Sequence, residues 1–300
     1  MTRPPRASVI IPAYYSCDTL ADCLDSLRAQ TWRDFEIVLV NSSPEETTGR
    51  LVGSRYPEVR FEQSPVRLYP LAARNRAAGL AGGDLLVFLD PDCRARPDWL
   101  ERLVAAQDGG HQVVGGGMEL ATTRWFERGV HLCKFSWALS GLAPGPHPIT
   151  PSANVCYHRR VWEAAGPLDG DLWCGDAVLS WRAAACGYAP WFEPRAVVEH
   201  RHAGTWGSFW RERFTRGREF AAVRMAFFRW SRARAVASAL LAPLLVLLVL
   251  LRAGRDAARA GWFGAFLWTL PVQLVGQLGW VAGETLVHGR YALQQPGAGA

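Results

Sequence analysis

Between residues 8 and 103, short apolar runs alternate with helical patterns so tightly that only a layered α/β arrangement accommodates them. Ser8-Val9-Ile10-Ile11 is a β-branched run ended by Pro12 and reads as a buried first strand. Asp18 or Thr19 can cap a helix whose Leu20, Leu24 and Leu27 share one face. Residues 35–40 form a second apolar strand, broken by Asn41-Ser42-Ser43-Pro44. A helix over 46–55 leads to a third strand at 59–62, and an alanine-rich helix over 72–81 stops at Gly82-Gly83. The wholly apolar run 85–89 enters Asp90-Pro91-Asp92, after which Pro97 opens a helix carrying Trp99, Leu100 and Leu103. This order predicts an α/β fold with a Rossmann-like, mostly parallel sheet and helices on both faces. In such sheets ligands lie beyond the carboxyl ends of the strands. Ala13-Tyr14, Asn41-Ser42-Ser43 and Asp90-Pro91-Asp92 all fall there.

From residue 113 to 202 the pattern loosens, with more glycine, proline and tryptophan, as in a second half of the same domain. Gly115-Gly116-Gly117 lacks a following Gly-Lys-Ser/Thr, so it is no phosphate loop and reads as a strand-end turn. A helix over 176–186 is stopped by Gly187. At 49% apolar and 20% charged the chain is richer in hydrophobic residues than a soluble domain, and the excess lies late. Residues 235–251 carry no charge, with Arg229, Arg232 and Arg234 before them and Arg252, Arg255 and Arg259 after. A second apolar segment, 261–283, is interrupted by Pro271, Gln273 and Gln277. The pair is expected to form a transmembrane or membrane-embedded helical hairpin, a buried helix pair being the competing arrangement. The expected organisation is a domain over 1–228, divided into a first half (1–110) and a second half (111–228). The hairpin over 229–290 and a disordered tail over 291–300 follow.

The net charge of +6 comes from arginine, Lys134 being the single lysine. No nucleic-acid-binding motif accompanies it, so anionic nucleotides and membrane surfaces are the expected partners, not nucleic acid. Seven cysteines, scattered and without a C-x-x-C pair, argue against a disulfide framework and a zinc ribbon. The N-terminus offers no secretory signal. Together these lead to the expectation that the domain over 1–228 stays on the cytoplasmic side of a cell membrane.

A strand running into Asp-x-Asp projects two carboxylates past the sheet edge, where a hard divalent cation takes oxygen ligands and shares its shell with phosphates. Two solvated turn aspartates would explain an isolated pair; the rigid run 85–89 and the strand-end position favour the metal. A phosphatase with an aspartyl-phosphate also places Asp-x-Asp after a strand. Its pair follows the first strand and continues differently from Cys93-Arg94.

The chain resembles a family-2 glycosyltransferase of the GT-A fold, of the bacterial membrane-associated type, over residues 8–217. The resemblance rests on Ser-Val-Ile-Ile-Pro-Ala-Tyr at 8–14, Cys23-Leu24-Asp25-Ser26-Leu27 with Gln30-Thr31, and Ala73-Arg74-Asn75-Arg76-Ala77-Ala78-Gly79. The run 85–89 with Asp90-Pro91-Asp92, then Pro97-Asp98-Trp99-Leu100, complete it. It implies that Pro12, Ala13, Tyr14, Asn41 and Arg74 border the nucleoside, Asn41 standing where relatives commonly have Asp. Asp90 contacts ribose or metal, and Asp92 and His200 hold Mg²⁺ or Mn²⁺. The family's Glu-Asp at a helix start corresponds to Gly175-Asp176, making Asp176 the general base, for which a helix cap is the plain alternative. Asn154 and Arg182 match acceptor-side positions, and the basic run 210–217 matches the helix beyond the site.

The activity so implied is inverting, metal-dependent transfer of a sugar from a nucleotide-diphosphate sugar to a lipid-linked or glycan acceptor in envelope or exopolysaccharide synthesis. Asn41 and Gly175 also suit a degenerate sugar-nucleotide-binding subunit of a membrane synthase.

Overall fold

The computed structural model describes residues 3–202 and 204–293. In chain order the first elements are β1 (Ala7–Ala13), α1 (Cys17–Arg28), β2 (Phe35–Asn41), α2 (Thr47–Arg55), β3 (Arg60–Gln63), α3 (Pro70–Leu80) and β4 (Leu85–Leu89). There follow β5 (Cys93–Ala95), α4 (Trp99–Asp108), β6 (Val113–Leu120), α5 (Trp125–Phe135), β7 (Gly145–Pro146), β8 (Asn154–His158), α6 (Arg159–Ala165), α7 (Gly175–Ala185) and β9 (Trp191–His200). Five helices end the chain: α8 (Trp206–Phe227), α9 (Arg232–Leu240), α10 (Ala242–Arg259), α11 (Phe263–Trp268) and α12 (Leu270–Leu293). Of the tail expected over 291–300, residues 294–300 lie outside the described residues, and its start closes α12. The contacts divide the chain into one unit of residues up to Ala121 with Ala138–Arg201, and another of Thr122–Trp137 with residues from His202 on. Helix α8 falls in the second unit, where Phe209 packs with Val130 of α5 and Val272 of α12.

The first unit is built on one sheet, ordered β3-β2-β1-β4-β8-β6-β9-β5, with β7 paired to β9. The strands β3, β2, β1 and β4 are parallel, as the alternation predicts. Beyond β4 the sheet is mixed: β8 runs antiparallel to both β4 and β6, and β5 antiparallel to β9. From 113 onward the local strand–helix–strand repeats that force parallel neighbours give way, so the expected parallel pairing holds for the first four strands and, beyond them, for β6 with β9 alone. Alternation along each strand sorts the core. Ile10, Val38, Leu86, Phe88 and Val155 pack beneath Ala73 and Ala77 of α3, Val161 of α6 and Leu179 of α7.

The glycine run is not a strand-end turn. It lies inside β6, at a register shift where β9 comes within backbone contact. A β-carbon at Gly116 would sit 2.2 Å from the Ala196 carbonyl oxygen, and one at Gly117 2.4 Å from that of Pro194.

The second unit is helical. No single helix among the described residues is long and apolar enough to cross a membrane. The first apolar segment breaks at Leu241, and α9 and α10 meet at 71°. Pro243 at the start of α10 lacks the N–H that would carry α9 onward. That bent pair still meets the length and composition of a broken span. The second segment becomes α11 and α12. On α12, Gly276, Gly279 and Gly283 let α8 approach so closely that a β-carbon at Gly283 would meet the Phe214 carbonyl oxygen at 2.2 Å. Gln273 and Gln277 are buried there, donating to the Phe266 and Cys133 carbonyls.

Replacing Gly116 by alanine forces β6 and β9 apart and is expected to cost ~2–3 kcal/mol in chemical denaturation. Gly79→Ala is the contrast. Gly79 is an exposed helical position with no neighbour within 4 Å, so alanine should stabilise by about 0.5–1 kcal/mol.

Candidate active site

Strand β4 ends at Leu89, and a turn closed by the Cys93 amide donating to the Asp90 carbonyl (3.1 Å) starts β5. Strand β5 pairs with β9 so that Cys93 faces His200 in register, and the Arg201 amide donates to the Asp92 carbonyl at 3.2 Å. Two pieces of chain remote in sequence thereby converge. The Asp92 Oδ1 lies 3.7 Å from His200 Nε2, and one ligand atom each from Asp92, Cys93 and His200 fall within 4.8 Å of one another.

The Cys93 thiol is a poor member of that set. Burial, then the carboxylates of Asp92 and Asp90, push it well above the usual thiol range, and the same causes raise Cys23 beside it. The effective donors are a carboxylate and an imidazole, a mixed oxygen–nitrogen set that fits a divalent cation whose remaining ligands come from a phosphate.

The two aspartates of the turn have different tasks. Asp90 accepts from the guanidinium of Arg74, whose side chain is 3% exposed against 25% for Asp90. Arg74 therefore aligns Asp90 instead of standing open to a base. The ends of β1 and β2 lie alongside, joined by the Ser42 amide donating to Ala13 (3.0 Å), with Ala13 buried behind Tyr14. Pro12 lies in β1 opposite Val40. Asn41 is fully buried, its Nδ2 donating to Gln63 (2.8 Å) and its Oδ1 accepting from the Ser43 hydroxyl (2.9 Å). Its amide shapes the loop.

Asp176 stands in the first turn of α7. Its Oδ1 accepts from the Ala177 amide at 2.9 Å and its Oδ2 from the Ser152 amide at 3.4 Å. The loop that supplies Ser152 is tied to the same helix, the Thr150 amide donating to Ser180 Oγ (3.1 Å). Arg182, one turn on, holds Asp169 at 3.1 Å.

Asn154, expected on the acceptor side, is core. It has no exposed surface; its Nδ2 donates to the Gly117 and Ala196 carbonyls (2.9 and 3.0 Å), and its Oδ1 accepts from the Trp99 indole (2.8 Å). Those bonds clamp β8, β6, β9 and α4 together.

Sequence reasoning passed over an exposed aromatic group. The Arg67 guanidinium lies 4.8 Å from the Tyr14 ring centre and 5.2 Å from that of Tyr69, and Tyr69 meets Trp173 edge-on at 6.4 Å. Tyr14, Tyr69 and Trp173 are 38%, 46% and 45% exposed, which suits stacking on a flat or sugar-like ligand. All but Tyr14 sit in connections or at their edges, where periodicity carries no signal.

The family model for glycosyl transferase family 2 matches residues 8–158, just over half of the chain. The chain belongs to glycosyl transferase family 2. It is a glycosyltransferase by that membership. It is similar to glycosyltransferase AglE of Haloferax volcanii, at 27% identity over 65% of this chain and 67% of the relative. It is also similar to the undecaprenyl-phosphate 4-deoxy-4-formamido-L-arabinose transferase of Klebsiella pneumoniae, at 32% identity over 38% of each chain. Its fold matches the mannosyltransferase PcManGT of Pyrobaculum calidifontis, solved with GDP-Man and Mn²⁺, with a TM-score of 0.61 at 20% identity, covering 95% and 88%. The first unit is thus GT-A-like.

In this family-2 chain the glycine before Asp176 has a packing cause. A β-carbon at Gly175 would lie 2.5 Å from Leu71 Cδ1 and 3.0 Å from the Asp169 carbonyl oxygen. Leu71 fills the space a glutamate stem would need, and Asp176 keeps its supports.

Asn154→Ala strips partners from two carbonyls and an indole inside the core. Unfolding free energy is expected to fall by about 3 kcal/mol, read from a denaturation midpoint. An acceptor-binding role would instead leave stability unchanged and alter the apparent acceptor affinity.

Proposed function

We propose that the chain transfers a glycosyl group from a nucleoside diphosphate sugar to an acceptor hydroxyl with inversion, at the cytoplasmic face of a membrane. One observation carries the reading: Asp92 and His200 converge beside the Arg74–Asp90 pair at the carboxyl end of β4. Asp92 and His200 would hold Mg²⁺ or Mn²⁺, which when bound neutralises charge on the leaving diphosphate. Arg74 keeps Asp90 oriented toward the donor, and Tyr14, Tyr69 and Arg67 offer flat surfaces to base or sugar. Asp176 takes the acceptor's proton while the acceptor oxygen bonds to the anomeric carbon and the carbon–diphosphate bond breaks. A single displacement from the opposite face inverts that carbon. The two peptide N–H groups on Asp176 fix its carboxylate for this step. Lipid-linked glycans of the cell envelope are the acceptor class, a reading supported by the undecaprenyl-phosphate relative.

The membrane part of the proposal rests on α10. Leu244, Leu247, Leu248 and Leu251 form a helical stripe and are 46–61% exposed, while Val246, Ala253 and Ala257 face inward. An exposed apolar stripe bracketed by Arg232, Arg234, Arg252 and Arg255 suits a helix lying in the headgroup layer.

Purified protein with Mn²⁺ should release nucleoside diphosphate from one of UDP-, GDP- or dTDP-sugars. Asp176→Asn should lower kcat roughly 10²–10⁴-fold with donor affinity retained. Asp92→Ala and His200→Ala should each weaken Mn²⁺ binding by at least about tenfold in titration calorimetry. Wild type that binds donors and turns over none would leave a binding subunit in place of an enzyme.

In flotation assays, wild type should rise with anionic vesicles, and the double variant Leu244→Glu with Leu248→Glu should remain at the bottom of the gradient. Equal flotation of both would remove α10 from the membrane contact.

A further inference from the structure

Within the helical unit, a groove of about 450 Å³ runs along α10, and its lining changes character from one end to the other. Leu241, Leu244, Leu245 and Leu248 line one stretch; Arg224, Trp230, Arg234 and His288 line the other. The leucines span ~10 Å of helix axis. None of the residues assigned above to the donor, cation or acceptor borders it.

The polar end is unusual for a buried place. The Trp230 Nε1, the His288 Nε2 and the Arg224 Nε have no hydrogen-bond partner among the described residues, although Trp230 and His288 are only 8% and 2% exposed. Buried donors of this kind are as a rule satisfied. The His288 ring stacks on Trp230 at 5.4 Å, and burial with the Arg224 charge holds it down at about 4, so it is a neutral imidazole. The guanidiniums of Arg234 and Arg224 lie 4.2 and 4.7 Å from the Trp230 ring centre. Arg224 is balanced by Glu284 at 3.2 Å, whereas Arg234 has no ion pair among the described residues. The polar end thus carries one uncompensated positive charge beside unused donors, and hydrocarbon-lined space adjoins it.

We propose that this groove is a binding site for an anionic membrane phospholipid. The phosphodiester head sits at Arg234 with the Trp230 and His288 edge, and an acyl chain lies along Leu241, Leu244, Leu245 and Leu248. A phosphodiester's single negative charge matches the single free guanidinium, and a doubly charged phosphomonoester is left half-neutralised. Inorganic phosphate lacks the chain that the leucines receive. The site concerns one bound lipid molecule, so it is separable from the general adhesion of α10 to a bilayer and from transfer activity.

The test uses the full chain and dihexanoyl phosphatidylglycerol below its micelle concentration, with binding followed by titration calorimetry. Wild type should bind this lipid at least tenfold more tightly than dihexanoyl phosphatidylcholine, farnesyl phosphate or inorganic phosphate. Arg234→Ala and Leu244→Trp, both at exposed positions, should each weaken binding at least tenfold with unchanged circular dichroism and melting temperature. Nucleoside diphosphate release in detergent-free solution should be unaffected by either change. Farnesyl phosphate or inorganic phosphate binding as tightly as the phospholipid would overturn the assignment. Undiminished binding by both variants would overturn it as well.

Discussion

The contact between β6 and β9 decides where the candidate cation site lies. These strands pair only because hydrogen stands at Gly116 and Gly117, where any β-carbon would lie within 2.4 Å of a β9 carbonyl oxygen. Beyond the irregularity their register runs from Gly117 opposite Val197 to Leu120 opposite His200. On its other side β9 presents the same His200 to Cys93. A slip of one residue would turn His200 to the opposite face of the sheet. Asn154 reinforces the arrangement from β8, its amide bridging carbonyls of both strands. The site's imidazole is therefore positioned by backbone packing laid down well away from it.

That dependence explains which parts were readable in the sequence. The strands β1 to β4 and their helices announce themselves because each is a short local pattern and its neighbours are close in the chain. Their parallel order follows from short crossovers. The pairing of β8 between β4 and β6, and of β9 between β6 and β5, is non-local, and no periodicity encodes it. The glycine run illustrates the difficulty. Three glycines read locally as a turn, but their role is set by a strand some eighty residues away, seen only once both are in place.

The site shows the same division. Asp92 and His200, remote in the chain, bring ligand atoms to 3.7 Å of each other, and Asp176 stands in the first turn of α7. Asn41 ends β2 and Arg74 lies in α3, and their polar groups are engaged with Gln63 and Ser43 and with Asp90. A motif fixes a position, and the neighbours fix which atoms remain free to act. Asn154 is the sharpest case, since a polar residue in an apolar strand invites a functional reading until its three long-range partners are known. Arg67 and Tyr69 err the other way. Nothing in their local pattern marks them, and only the packing of loop against loop makes them a surface.

The helical unit separates hydrophobicity from its consequence. Segments 235–251 and 261–283 look alike in composition, yet they pack differently. In α12 the glycines admit the backbone of α8 and the two glutamines find carbonyls, while Leu274 and Leu278 stay exposed. Helix α10 presents its leucines outward, and Pro243 with the 71° bend sets it off from α9. The proposed membrane contact lays those exposed leucines in hydrocarbon and the flanking arginines among phosphates.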